Sequence, residues 1–260
     1  MSEDVAAFYD DLAAGYHLIV DDWEAWGRWQ GDVLDKLIGT ELGSDRRTLL
    51  DCSCGIGTQA LALAERGYTV HATDLSPASI TRAEQEAERL GLSLTFGVAD
   101  FRKLEAQVEG TFDTVLTCDN ALAHLMTEDD LEQAARSMAA KLKPGGLLLA
   151  SIRDYDQLVQ EQPETTPIRM FQSDNTGGKR IVFQHWEWAA DGSDYIMHMF
   201  IVRPSLGGAD WQMRSHTTHL RAWQRDEIDA ALEAGGLTDI RWHMTEDSGY
   251  YQPIVTARLR

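Results

Sequence analysis

The chain has 260 residues, 43% of them hydrophobic, which is enough for one large domain with a sizeable core. Its formal charge is −19, with 42 acids against 23 bases, a surface that repels nucleic-acid phosphate. No run of about 18 apolar residues occurs, so no membrane-spanning segment is expected.

Residues 1–11 are polar and acidic and lack the basic start and apolar run of a signal peptide, which makes the cytoplasm the expected location. Cys52, Cys54 and Cys118 form no CxxC pair, so neither a disulfide framework nor a zinc site is expected, and no metal is predicted. Lysine is scarce, which fits an arginine-rich acidic proteome or, more pointedly, a salt-adapted cytosol.

Residues 1–47 read as helical. Trp23, Trp26, Trp29 and Val33 recur at helical spacing and give one apolar face, read first as a packing stripe and second as a substrate cage. A buried strand follows over 48–51, then the small-residue turn Cys52-Ser53-Cys54-Gly55-Ile56-Gly57. A helix over 58–66 is closed by Gly67. A second strand over 68–73 ends in Asp74, and Ser76-Pro77 opens a helix running to Leu90. A third strand covers 92–98 and ends at Asp100-Phe101. A fourth covers 112–117 and leads into Cys118-Asp119-Asn120. Thr127 caps a helix reaching Lys143, Pro144-Gly145-Gly146 is a turn, and 147–152 is a fifth strand.

Strands alternating with helices at this spacing predict an α/β fold with a Rossmann-like, doubly wound, mostly parallel sheet. The tail differs. Strands over 179–188, 195–203 and 211–220, separated by Asp191-Gly192 and Gly207-Gly208, read as an antiparallel elaboration covering the active site. A helix over 222–234 and strands over 240–244 and 254–259 complete the chain. The predicted division is an N-terminal helical cap, 1–47; a core, 48–152; an antiparallel substrate-covering segment, 153–220; and a C-terminal helix and strands completing the core, 221–260.

Ligands of such sheets bind at strand carboxyl ends. A ligand reaches the backbone only where side chains are small, which suits Ser53, Gly55 and Gly57 after Asp51. Asp74, with Leu75 beside it, can accept both hydroxyl protons of a ribose. Asp100 can accept from an adenine amino group while Phe101 stacks on the ring. The turn lacks the third glycine of a dinucleotide fingerprint, and no GxxxxGK[ST] motif occurs.

Over roughly 48–152 the chain resembles the class I S-adenosylmethionine-dependent methyltransferases, on the glycine-rich turn, the acidic strand ends and Pro144-Gly145-Gly146 before the fifth strand. Ser53 stands where the first glycine is commoner. The resemblance implies S-adenosylmethionine as cofactor, S-adenosylhomocysteine as product, and Asp51, Ser53, Gly55, Gly57, Asp74, Leu75, Asp100, Phe101, Cys118 and Asn120 as cofactor-binding residues.

Within that class the chain resembles small-molecule N-methyltransferases of the glycine and sarcosine type. Phe8-Tyr9-Asp10 matches the segment of the family's cofactor-covering tyrosine, which implies that role for Tyr9. Arg28 lies near the family arginine that holds the cofactor's carboxylate. Ser151-Ile152-Arg153-Asp154-Tyr155-Asp156 resembles the family's His-Arg-Asn-Tyr-Asp segment, which implies a substrate-carboxylate clamp for Arg153; Asp154 departs from it. His124 is implied to line the methyl-transfer funnel.

An amine acceptor must be neutral, so a base is wanted, and His216, His219, His185 and His198 are candidates, His216 foremost. Tyr155, Trp186 and His219 join Arg153 as expected substrate contacts. The predicted function is methyl transfer to a small molecule, most readily an amine nitrogen of a carboxylate-bearing substrate. The alternatives are O- or N-methylation of an aromatic natural product and a non-catalytic cofactor-binding regulator. No nucleic-acid or membrane partner is expected.

Overall fold

A computed structural model describes residues 2–45, 47–172, 178–205 and 210–260. The expected Gly207-Gly208 separator lies outside the described residues. The chain opens with helix α1, Ser2–Leu12, and a 3-10 turn, Tyr16–Ile19. Helix α2, Trp23–Leu42, starts where Asp22 accepts the Ala25 amide at 2.9 Å and stops at Gly43, φ 77°.

The alternation then runs β1 Thr48–Asp51, α3 Thr58–Glu65, β2 Thr69–Asp74, α4 Pro77–Leu90, β3 Thr95–Val98, α5 Leu104–Gln107, β4 Phe112–Thr117, α6 Glu128–Ala139 and β5 Leu142–Ser151. Beyond it come α7 Tyr155–Glu161, β6 Arg169–Phe171, β7 Arg180–Trp188, β8 Asp194–Pro204, β9 Trp211–Arg221, α8 Arg225–Ala234, β10 Leu237–His243, α9 Thr245–Ser248 and β11 Ile254–Leu259.

Among the described residues the main sheet has the order β10-β11-β5-β4-β1-β2-β3. β3, β2, β1, β4 and β5 are parallel, while β11 runs antiparallel between β5 and β10. Strand order reverses between β1 and β4, which opens a crevice at the carboxyl ends of these strands. Leu49, Leu50, Val115, Leu116 and Leu147 to Ala150 are fully buried, as strands covered on both faces require. No helix among the described residues is long and apolar enough to cross a membrane.

The second sheet, β6-β7-β8-β9, is antiparallel throughout. On β8, Tyr195, Met197, Met199 and Ile201 are buried while Ile196 between them is exposed, the two-residue period of a half-covered strand.

Some boundaries differ from expectation. The helix from Thr127 stops at Ala139 rather than Lys143, and β5 already pairs at Leu142, opposite Phe112. Pro144-Gly145-Gly146 is an irregularity inside the strand: Gly145 takes φ 70°, and the β4–β5 register shifts there. A Cβ on Gly146 would sit 2.8 Å from the Lys143 carbonyl oxygen, so the close approach demands glycine. Helix α8 begins at Arg225, not Ala222, because Gln224 and Glu227 form a capping box.

Candidate functional site

The turn after β1 and the end of β2 are tied together by one carboxylate. Asp74 Oδ2 accepts the Gly55 amide at 2.8 Å and Oδ1 accepts the Ser76 amide at 2.9 Å. Burial raises the Asp74 carboxyl above its usual range, against the pull of those amides. Asp51 lies behind the turn, where Oδ1 accepts the Ser53 amide at 3.2 Å and Oδ2 is buried without a partner. Burial pushes its carboxyl up to about 8. Arg102 grips Asp100, Nη2 to Oδ2 at 2.7 Å, and outweighs burial to hold that carboxyl below its usual range.

A first chamber opens over these strand ends. Tyr9, Ser53, Gly55, Asp74, Leu75, Asp100, Phe101, Cys118 and His124 all line it. Gly55 has φ 53°, and a Cβ there would meet nothing within 4 Å, so its backbone faces open space. Gly57, φ 98°, serves instead to start α3. Arg28 is not brought to the cleft: its side chain is 53% exposed and pairs with Glu24 on the outer face of α2.

A second chamber, a cavity of ≈ 440 Å³, lies between the main sheet and the antiparallel sheet. Asn120, His124, Arg153 and Trp186 line it. Arg153 Nη1 donates to the Tyr195 hydroxyl at 2.5 Å, Nη2 donates to Gln184 Oε1 at 3.1 Å, and the guanidinium lies 4.7 Å over the Trp186 ring. Every one of these partners is neutral. Tyr155 is buried behind them, where its hydroxyl meets that of Tyr195 at 2.9 Å and accepts from Asn120 Nδ2 at 3.0 Å. It props the Arg153 network and does not face the cavity.

The histidines of the antiparallel sheet are not in either chamber. His216 is buried, but against α1: its Nδ1 lies 2.7 Å from Asp11, and its ring is edge-on to Phe8. His219 points outward by strand alternation, is half exposed and pairs with Asp194 at 2.7 Å. His185 and His198 stand on the outer face beside Glu187. His124 alone of the expected histidines lines the chambers.

Tyr9, Tyr16, Thr58, Asp119 and His124 line both chambers and so mark their junction. The Tyr9 hydroxyl is 2.9 Å from His124 Nε2. Burial, reinforced by Arg153, lowers the His124 pKa to about 4, so its imidazole is neutral at pH 7. Trp23 and Trp26 also line the second chamber, and Trp23 Nε1 donates to Thr58 Oγ1 at 2.9 Å. The packing stripe of α2 thus turns part of itself into cavity wall, while Trp29 stacks on Tyr250. Asp119 was marked by its place after the fourth strand, whereas Tyr16 and Tyr251 carried no signal in the sequence, since neither sits in a spaced motif.

Residues 49–146 match the family of methyltransferase domains. Residues 49–146 form a methyltransferase domain. Its relatives include the glycine/sarcosine N-methyltransferase of Parasynechococcus marenigrum, 34% identical over 139 residues that cover 54% of this chain and 48% of that protein. The chain spans about half the length of several curated relatives that it matches. Streptomyces venezuelae DesVI shares the fold, with TM-score 0.75 and 20% identity over 96% of this chain and 98% of that one. So does CalS10, an amino pentose methyltransferase of Micromonospora echinaspora, with TM-score 0.71 and 21% identity over 95% of each chain.

The residues of the methyltransferase domain fit its cofactor. Gly55 leaves a cradle that a Cβ would fill, and Asp74 presents a carboxylate fixed by two amides.

Proposed function

We propose that the chain transfers a methyl group from S-adenosylmethionine to the nitrogen of a small, carboxylate-bearing amine. The observation that carries this reading is Arg153: a guanidinium on the cavity wall, with only neutral partners, next to the chamber that suits the cofactor. Taking such a charge out of water is costly without a counter-ion, and a substrate carboxylate would supply one in bidentate geometry.

When bound, S-adenosylmethionine supplies an electrophilic methyl on a positive sulfonium. Asp74, the Gly55 backbone and Phe101 would hold and orient the adenosyl part in the first chamber. Tyr9 and His124 flank the passage between the chambers and would exclude water from it. Arg153 would fix the acceptor by its carboxylate, and the neutral His124 would place no competing positive charge beside the acceptor nitrogen. The glycine/sarcosine type of the relatives supports nitrogen as the acceptor. The aromatic walls of Trp23, Trp26 and Trp186 favour a second reading, methylation of an aromatic natural product.

Labelled methyl transfer from the cofactor, screened against amino acids, amines lacking a carboxylate, and phenols, separates these readings. Transfer to carboxylate-bearing amines alone is expected. Transfer only to phenols would move the assignment to the second reading, and no transfer to any acceptor would favour a non-catalytic binding protein.

A further inference from the structure

We propose that Asp119 recognises the acceptor's ammonium group, so that the acceptor is a zwitterion bound with its carboxylate at Arg153 and its nitrogen at Asp119. This rests on the carboxylate-bearing amine reading and sharpens it to a substrate class.

Asp119 follows β4 with φ 59°, and Asn120 follows with φ 71°. Asp and Asn are the non-glycine residues that tolerate the left-handed region best, and here the two occupy it in succession. The Asp119 amide donates to Ser151 Oγ at 2.9 Å and the Asn120 amide to the Ser151 carbonyl at 3.2 Å, which pins the turn. The bend brings the Asp119 side chain to the junction of the chambers.

Its partners are neutral. The Tyr251 hydroxyl donates to Oδ1 at 2.5 Å and the Tyr250 hydroxyl at 3.3 Å, with the Gln59 amide nearby. No cationic side chain among the described residues pairs with it. The cavity therefore carries a carboxylate and a guanidinium, each held by neutral groups and neither paired with the other. A ligand that offers both opposite charges satisfies both poles at once, whereas a simple carboxylate or a simple amine leaves one pole bare. Trp26 and Tyr16 line the same wall, and the Trp26 ring lies 4.9 Å from that of Tyr251. Aromatic faces beside the carboxylate also accept an ammonium that already bears methyl groups.

The test uses calorimetry on the full chain saturated with S-adenosylhomocysteine. The probes are matched pairs: glycine and acetate, alanine and propionate, phenylalanine and 3-phenylpropanoate. In the wild type at least one amino acid is expected to bind about 10-fold or more tighter than its deaminated partner, the scale of one charge-assisted hydrogen bond. Asp119→Asn should erase that margin and leave the affinities for the carboxylates and for S-adenosylhomocysteine unchanged. Tyr251→Phe, which removes a donor but no charge, should retain the margin.

A margin that survives Asp119→Asn, or is lost in Tyr251→Phe, overturns the assignment. So does weaker S-adenosylhomocysteine binding with the margin intact, which would give Asp119 to the cofactor's ammonium. If no probe of any pair binds the wild type, the carboxylate-bearing amine reading itself fails and takes the inference with it. If carboxylates bind through Arg153 without any gain from the amine, only the inference fails.

Discussion

Arg153 and Asp51 are both ionisable groups without a charged partner, but they do different things. Arg153 stands on a cavity wall, where a ligand can reach it. Arg153→Ala should raise the acceptor's KM by about 10- to 100-fold, the range for a hydrogen-bonded charge, and leave S-adenosylhomocysteine affinity unchanged. Steady-state kinetics beside calorimetry checks this; equal losses in both would remove the clamp. Asp51 is sealed behind the turn, and its folded pKa of about 8 lies far above that of an exposed carboxyl. A raised value means that the folded state prefers the protonated form. The stability linked to Asp51 is therefore full below pH 4 and is lost as pH rises through about 8. Melting temperatures between pH 5 and pH 9 should fall in the ligand-free wild type and fall less in Asp51→Asn. Identical slopes would show that Asp51 does not carry the effect.

At the scale of elements, the two glycines of the β1–α3 turn separate cofactor binding from folding. A Cβ on Gly57 would press to 2.8 Å from Leu61 at φ 98°, whereas one on Gly55 meets only open cleft. Gly57→Ala should lower the melting temperature markedly, with a cost of about 1–3 kcal/mol from strain and overpacking. Gly55→Ala should cost less stability and more cofactor affinity. Thermal melts with and without S-adenosylhomocysteine decide; the reverse ranking would refute the division of labour.

That turn was legible in the sequence because buried parallel strands end in short, punctuated motifs, and so Gly55, Asp74 and Asp100 could be located from spacing alone. Arg28 misled because α2 has many faces and a position in a helix does not say which face meets the cleft. His216 and His219 misled for a related reason: alternation on β9 divides the strand into two faces without saying what covers either. Asp119 was legible as a strand-end acid after β4, but Tyr251 reaches the second chamber only through tertiary packing. The early start of β5 was hidden by Pro144-Gly145-Gly146, which reads as a turn but is absorbed as a bulge.

For the whole molecule, the charge of −19 gives a field that favours a cationic ligand and repels phosphate. The antiparallel sheet closes over that cleft from one side and α1 with α2 from another, so the cofactor and acceptor chambers meet only at Tyr9, Tyr16, Thr58, Asp119 and His124 among the described residues. This arrangement depends on a cofactor seated on the strand ends with Asp74 at its ribose. Calorimetric titration of S-adenosylhomocysteine into the wild type and into Asp74→Ala tests it most directly. Saturable binding at one site per chain is expected in the wild type, and none measurable in an Asp74→Ala protein that still melts cooperatively. Unchanged affinity in that variant, or no binding to the wild type, would contradict it.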